Sequence, residues 1–496
     1  MATKRDLEDD RNGSLSEPFV DRKRVEAAEE QCSSDDGGAW MVYLSTFISA
    51  CGSFQFGFCA GYSSPAQFGI MEDLDQTSSE YSTFGSLLTI GAIIGALTCG
   101  HTADFAGRKG AMRIASIVCI AGWVAIYISS GALLLDFGRI LTGYGIGNLS
   151  YVVMVYVAEI APKELRGLLA TLNQLLLVTG LAAAYVIGAY VSWRTLALIG
   201  IVPCILLFVG LFFIPESPRW LAMVGRQREF EAALSKLRGP GANISSEQAE
   251  IEDSLAIMRQ LPKITIPDLL GGRNLRLIST GVILMAFQQL VGINGINYYA
   301  AEIFVSAGVA PSTGSILYSC SQVVVTIFGA TLMDRAGRRP LLMGSICGVF
   351  LGNLLIGSSF LLKERQLAPD YILCLQWVVP WFTLPPSRWG WVRFLGFLCQ
   401  REDIGLDVSP YYQSVSVAIL QLFPLNIKGI GGGLVTLTNW IGSWVISYTF
   451  ICLFSWSSSG IFYLYGSMCV LAMIFTIKFV PETKGRTLEE IHLLMD

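Results

Sequence analysis

Apolar runs long enough to cross a bilayer recur along nearly the whole of this 496-residue chain. A hydrocarbon core of about 30 Å takes about 20 consecutive apolar residues of helix. Runs of this kind begin near Trp40, Phe84, Met112, Phe137, Leu168 and Thr195, and again near Leu277, Ser312, Pro340, Tyr371, Gly429 and Gly460. Each must be helical in lipid, where no water satisfies backbone N–H and C=O groups. The expectation is an all-α membrane protein of about twelve transmembrane helices, six on either side of a polar stretch from Pro215 to Arg276. Only 15% of residues are charged, against about 25% in soluble domains.

Charge orients the spans. No Lys or Arg occurs from Met41 to Gly107, although that stretch holds Glu72, Asp73, Asp75 and Glu80, while Arg108, Lys109, Lys163, Arg166, Arg335, Arg338 and Arg339 crowd the opposite turns. The positive-inside rule puts those turns, the central loop and both termini in the cytosol. The sequons at Asn12, Asn148 and Asn243 then fall in cytosol or membrane and should carry no glycan. Residues 1–38 are polar and lack the apolar core of a cleavable signal, so a disordered cytosolic tail before a retained first span is expected. The remaining divisions are a six-helix half over 39–214, a cytosolic helical loop over 215–275, a second half over 276–480 and a tail over 481–496. Ser245 and Gln248 in the loop form a capping-box candidate. The twelve cysteines are scattered with no C-x-x-C pair and read as small buried apolar residues.

The halves echo each other. Gly100 to Lys109 reads G-x-x-x-D-x-x-G-R-K, and Asp334 to Arg339 repeats its core. Glu159-Ile-Ala-Pro-Lys-Glu-Leu-Arg-Gly167 has a counterpart in Gln421 to Gly429, and Pro215-Glu-Ser in Pro481-Glu-Thr. Internal repeats are a transporter architecture, with substrate bound between them near the midplane. The echo also exposes a fault. Asp104 and Pro162 lie 58 positions apart, whereas Asp334 and Pro424 lie 90 apart. The excess falls within 375–420, where Pro385-Pro386 and Arg401-Glu-Asp403 suit no spanning helix. An abnormal tenth span, a translated intron or a misjoined exon would each produce it.

Five motifs in fixed order, D-x-x-G-R-K, E-I-A-P-x-x-x-R-G, P-E-S-P-R, Q-Q-x-x-G-I-N and P-E-T-K-G, make the chain resemble the sugar porter family of the major facilitator superfamily. Among its subgroups it is most similar to the plant early-responsive-to-dehydration-like monosaccharide transporters. The resemblance implies the major facilitator fold, two pseudo-symmetric six-helix halves, and transmembrane movement of a monosaccharide by alternating access.

The seventh span carries the densest chemistry, Gln288-Gln289-Leu-Val-Gly-Ile-Asn294-Gly-Ile-Asn297-Tyr298. Amide side chains both donate and accept hydrogen bonds, as sugar hydroxyls do. Positions 288, 292 and 295 share one face of a continuous helix, and 294 and 298 another. Helix–helix hydrogen bonding would also account for such amides. By resemblance, Gln288, Gln289, Asn294 and Tyr298 fall on sugar-binding positions, as do Gln174 in the fifth span, Gln322 in the eighth, and Asn439 and Trp440 in the eleventh. Two departures leave the sugar's identity open: Leu181 stands where some members have glutamine, and the tenth span's tryptophan cannot be located.

The resemblance gives a gating role to Asp104, Arg108, Glu159, Arg166, Glu216, Asp334, Arg338 and Glu482, which would tie the halves together when the site faces outward. Simple topology anchoring is the plainer alternative. Gln421 replaces a frequent glutamate. Proton-driven members carry a first-span aspartate in G-[YF]-D-x-G, whereas this chain reads Gly57-Phe-Cys59-Ala-Gly61 and leaves Arg139 without that partner. The leaning is toward facilitated diffusion, with a proton-linked symporter or antiporter, a transport-defective variant and a sugar sensor as alternatives. Two histidines, no triad, no metal-ligand spacing and no Walker loop argue against an enzyme, a metal, a cofactor or ATP drive. Nothing in the charge pattern points to nucleic acid. The partners expected are a monosaccharide and the bilayer of the plasma or vacuolar membrane, with protons if transport is coupled. A monomer suffices by resemblance.

Overall fold

The computed structural model describes residues 36–162, 165–239, 244–260, 272–336, 338–365 and 428–480. The tenth span near Tyr371, the segment 375–420 and Glu482 lie outside them.

Helix α1 (Asp36–Asp73), α2 (Ser78–Tyr127), α3 (Ala132–Ile160), α4 (Arg166–Gly188) and α5 (Trp193–Gly210) form the first half. Short helices α6 (Pro218–Val224), α7 (Gln227–Arg238) and α8 (Ser245–Gln260) follow. The second half comprises α9 (Gly272–Leu290), α10 (Ile293–Tyr298), α11 (Ala300–Ala307), α12 (Pro311–Ala336), α13 (Arg338–Glu364), α14 (Lys428–Trp456) and α15 (Ser458–Phe479). Among the described residues nine helices are long and apolar enough to cross a membrane. The 50 residues of α2 would extend about 75 Å at 1.5 Å per residue, far beyond one bilayer. It is two spans meeting at Gly107, whose φ of 80° and ψ of 171° are not helical.

The exterior is unlike that of a water-soluble protein. Ile117, Leu206, Phe212 and Ile477 stand exposed on the outer faces, while Ser49, Gln55, Ser63 and Asn148 are buried inside. An apolar exterior of this extent marks a surface meant for lipid. With lipid outside, helices gain nothing from hiding apolar area, and close backbone approach does the packing. Gly91 and Gly95 on α2 and Gly143 and Gly147 on α3 repeat the small-x-x-x-small spacing on facing helices. A β-carbon on Gly91 would lie 2.2 Å from the Ile140 carbonyl oxygen, and one on Gly143 2.2 Å from that of Leu88.

Helix ends carry local signatures. Thr77 and Glu80 form a reciprocal capping box at the start of α2, the Glu80 carboxylate accepting from the Thr77 amide at 2.8 Å. Helix α8 begins at Ser245, and the Gln248 amide donates to Glu252 at 3.3 Å and to Glu231 at 3.5 Å.

Backbone contact at the glycine seam gives a stability prediction. Gly143→Val should destabilise the detergent-solubilised chain by at least the roughly 1–3 kcal/mol of overpacking, because the obstacle is backbone. Gly100→Ala, with nothing within 4 Å of the added carbon, should leave the thermal midpoint unchanged or raised. Thermal unfolding followed by size-exclusion recovery checks both.

Candidate functional site

The seventh span is broken. Helix α9 stops at Leu290, Gly292 adopts a left-handed φ of 89°, and α10 restarts at Ile293. Glycine is required there, since a β-carbon would be strained and would sit 2.2 Å from the Tyr465 ring. The expectation that 288, 292 and 295 share one face of a continuous helix is therefore corrected. The break instead lets Asn294, on the new segment, donate its amide to Oε1 of Gln289 on the old one. Gln289 in turn donates Nε2 to Oδ1 of Asn439 on α14. Three expected site residues thus form one chain of amides.

The neighbours differ in their contacts. Gln288 is buried, and its Oε1 has no hydrogen-bond partner among the described residues. Trp440 is buried with its ring 5.8 Å from that of Phe56 on α1. Tyr298 is buried in the central aromatic cluster. Gln322 belongs to a second polar cluster with Tyr318 and Asn297. Gln174 is half-buried on α4, and no hydrogen bond joins it to these amides among the described residues. Asn297, Tyr318 and Tyr185 are members of the polar network that motif reasoning does not single out. The first two have a legible signal: Asn297 lies within the amide motif, and Tyr318 precedes Gln322 by one helical turn.

At the end of the bundle carrying the basic turns, the Arg108 guanidinium grips Glu159 through two hydrogen bonds, of 3.0 and 2.9 Å. Ser217 donates to the same carboxylate at 2.5 Å. Asp104 is a weaker partner at 3.4 Å, with its side chain 70% exposed against 12% for Glu159. Glu216 accepts from the Lys109 and Ser217 backbone amides at 3.2 and 2.9 Å. The kink makes this possible, because a β-carbon on Gly107 would lie 2.7 Å from the Glu216 carboxylate. Burial pushes the Glu216 carboxyl above its ordinary range, opposed by those two amide bonds and then by Lys109 and Arg108. The described side-chain hydrogen bonds of Asp104, Arg108, Glu159 and Glu216 all join α2, α3 and the Pro215–Ser217 corner of one half. The backbone of Arg166, Asp334 and Arg338 is helical; their side chains lie outside the described part.

Hydrogen bonds across the halves are described at the other end. The Gln67 amide donates to Glu302 at 3.1 Å, the Ala301 amide to Ser64 Oγ at 2.9 Å, and the Tyr185 hydroxyl to the Asn297 carbonyl. Near the middle of the first half, Arg139 is wholly buried. It donates to the Cys59 carbonyl at 3.1 Å and to the Ser63 hydroxyl, and it stacks over Phe84 and Tyr62 at 5.0 and 5.6 Å. No carboxylate pairs with it among the described residues.

Helical halves packed around buried amides define a solute carrier of the major facilitator type, and sequence comparison agrees. The profile of the family described as Sugar (and other) transporter matches residues 43–384 and 413–495, so the chain belongs to the sugar porter family of the major facilitator superfamily. It is 53% identical to Sugar transporter ERD6-like 8 of Arabidopsis thaliana over the full length of both chains. It is 48% identical to Sugar transporter ERD6-like 7 of the same plant, over 97% of this chain and 98% of that protein. Among solved structures it resembles the proton:xylose symporter XylE bound to 6-bromo-6-deoxy-D-glucose, at 25% identity and a TM-score of 0.70, covering 92% of this chain and 100% of that one. The inward-open xylose transporter XylE from E. coli shares the fold at a TM-score of 0.73, 24% identity and the same coverage. The family match is interrupted over 385–412, inside the segment where the spacing of the repeats is too long.

The geometry of the charged corner separates two carboxylates that look alike in sequence. Removing one partner of a buried ion pair costs about 3–5 kcal/mol, whereas an exposed pair contributes about 0–1 kcal/mol. Glu159→Ala should therefore destabilise the protein several times more than Asp104→Ala, measured by denaturant or thermal unfolding of both variants in detergent.

Proposed function

We propose that the chain moves a monosaccharide, a hexose, across the membrane by alternating access, and that it does so as a facilitative carrier. The amide chain Asn294–Gln289–Asn439 beside the unpartnered Gln288 Oε1 carries this reading. Such groups offer donors and acceptors together to a polyhydroxylated ring, in a setting that is otherwise apolar. Trp440, Tyr298, Gln174 and Gln322 complete the proposed site, and the sugar transporters among the relatives support the substrate class.

The facilitative part is supported by the surroundings of Arg139. A proton-linked carrier needs a group that gains and loses a proton within the cycle, commonly a carboxylate tuned by a nearby cation. Here Arg139 is held by a backbone carbonyl and a serine hydroxyl, neither of which titrates near neutral pH. Proton coupling is the second reading, favoured by the likeness to XylE, a proton:xylose symporter. In the proposed cycle the halves, 39–214 and 276–480, rock about the site. The charged turns, including Arg166, Asp334, Arg338 and Glu482, bias the two states. The basic turns, the loop 215–275 and both termini face the cytosol, in a plasma or vacuolar membrane.

Labelled glucose and fructose uptake into vesicles containing the full chain tests this. Uptake is expected to saturate, to survive a protonophore and to fall about tenfold in Gln288→Ala, the equivalent of losing one or two hydrogen bonds to substrate. Collapse under the protonophore would establish coupling. Absence of uptake in inserted protein would leave a sugar sensor, or a carrier disabled by the segment 385–412 that interrupts the family match. Cys59→Asp, which places a carboxylate beside Arg139, should make uptake depend on pH where the parent chain does not; a flat pH profile in both would remove Arg139 from the account.

A further inference from the structure

A second polar cluster lies beside the amide chain, and only one of its members, Gln322, falls on an expected sugar-binding position. Tyr318 and Gln322 sit one turn apart on α12. The Gln322 amide nitrogen donates to the Tyr318 hydroxyl at 2.7 Å and to Oδ1 of Asn297 at 3.4 Å. Tyr318 passes its own proton to the same Asn297 oxygen at 2.7 Å. The Asn297 carbonyl is held from the opposite half by the Tyr185 hydroxyl, and the Tyr185 and Tyr318 rings meet edge to face at 6.4 Å.

These bonds have a direction. In this structure Asn297 presents its Oδ1 as the acceptor, and Gln322 turns its NH₂ toward it, because a carbonyl oxygen in that place would face another oxygen. Tyr318 reinforces the choice by accepting from the same NH₂ and donating onward. The consequence is that Gln322 Oε1 carries no hydrogen bond among the described residues and is directed away from the cluster. An amide free to flip would present a donor or an acceptor equally well and would discriminate poorly between sugar epimers. One held in a single orientation presents an acceptor alone, and a site built to pair a particular hydroxyl rejects analogues that cannot pair.

We propose that Tyr318 and Asn297 are positioning residues for the sugar site, locking the Gln322 amide so that it reads one sugar hydroxyl as a donor. The Tyr185 hydroxyl holds the Asn297 backbone carbonyl from the other half, so the segment that carries the lock is tied across the bundle. This inference rests on the sugar-carrier reading. It adds Tyr318 and Asn297 as determinants of which epimer is preferred.

The test is a double-mutant cycle on the full chain in proteoliposomes, with labelled glucose exchange and unlabelled galactose and mannose as competitors. Tyr318→Phe keeps the ring and removes only the hydroxyl. It is expected to raise the glucose KM about 3- to 10-fold, with the maximal rate within about twofold, and to narrow the spread of competitor affinities. In a Gln322→Ala background the same substitution should change KM by less than about twofold, because its only route to substrate has been removed. Asn297→Ala, should Tyr318→Phe fold poorly, is expected to give the same pattern. Equal effects in both backgrounds, or an unchanged competitor ranking, would reduce Tyr318 to a packing residue and overturn the proposal. A parent chain that exchanges no sugar would instead overturn the carrier reading.

Discussion

An unpaired backbone amide or carbonyl in hydrocarbon costs several kcal/mol, so a membrane helix can break only where protein groups shelter the exposed backbone. Two breaks dominate this structure, and both coincide with its chemistry. At Gly107 the non-helical residue bares the Lys109 amide, which donates to the Glu216 carboxylate, and the Asp104 carbonyl accepts from the Trp220 indole at 3.0 Å. At Gly292 the reversal of φ ends α9 one turn after Gln288, within the bundle and against Tyr465. The break at Gly292 interrupts an apolar span, and the one at Gly107 makes the turn between two spans; polar groups converge at both.

The same economy governs the cations. Arg108 and Arg139 are both buried, but they are neutralised differently. Arg108 meets a carboxylate fork-to-fork, which suits the planar guanidinium and fixes the angle between α2 and α3. Arg139 meets a carbonyl, a hydroxyl and two aromatic faces. Those groups solvate a charge without cancelling it, and its Nε is left with no partner among the described residues. A cation in this state is sensitive to any carboxylate introduced near it, and position 59 is where one would matter most.

The hydrogen bonds described between the halves are concentrated on the segment from Asn297 to Glu302, which exchanges them with Ser64, Gln67 and Tyr185. The polar cluster around Gln322 hangs from the same segment. The proposed reading of substrate and the hydrogen bonds that join the halves at that end of the bundle therefore share residues.

Much of this was legible in the sequence because the physics involved is local. A run of about 20 apolar residues must be a helix in lipid, so the starts of the spans at Trp40, Phe137, Thr195 and Gly460 fall inside α1, α3, α5 and α15. The amides of the seventh span stood out because polar residues are costly there. The motif order named the family, and the repeat spacing located the place where the family match fails. What remained hidden depends on groups distant in the chain. Periodicity assumes an unbroken helix, so it put Gln288 and Gly295 on one face and could not foresee that Gly292 would reverse φ. Nor could it tell that Glu159 and not the adjacent Asp104 is the principal partner of Arg108, that Asn439 answers Gln289 across 150 positions, or that Tyr185 reaches Asn297 from the other half. Sequence determines where a chain must be helical and apolar, because each residue settles that with the solvent alone; which buried polar groups meet is decided only when the helices pack.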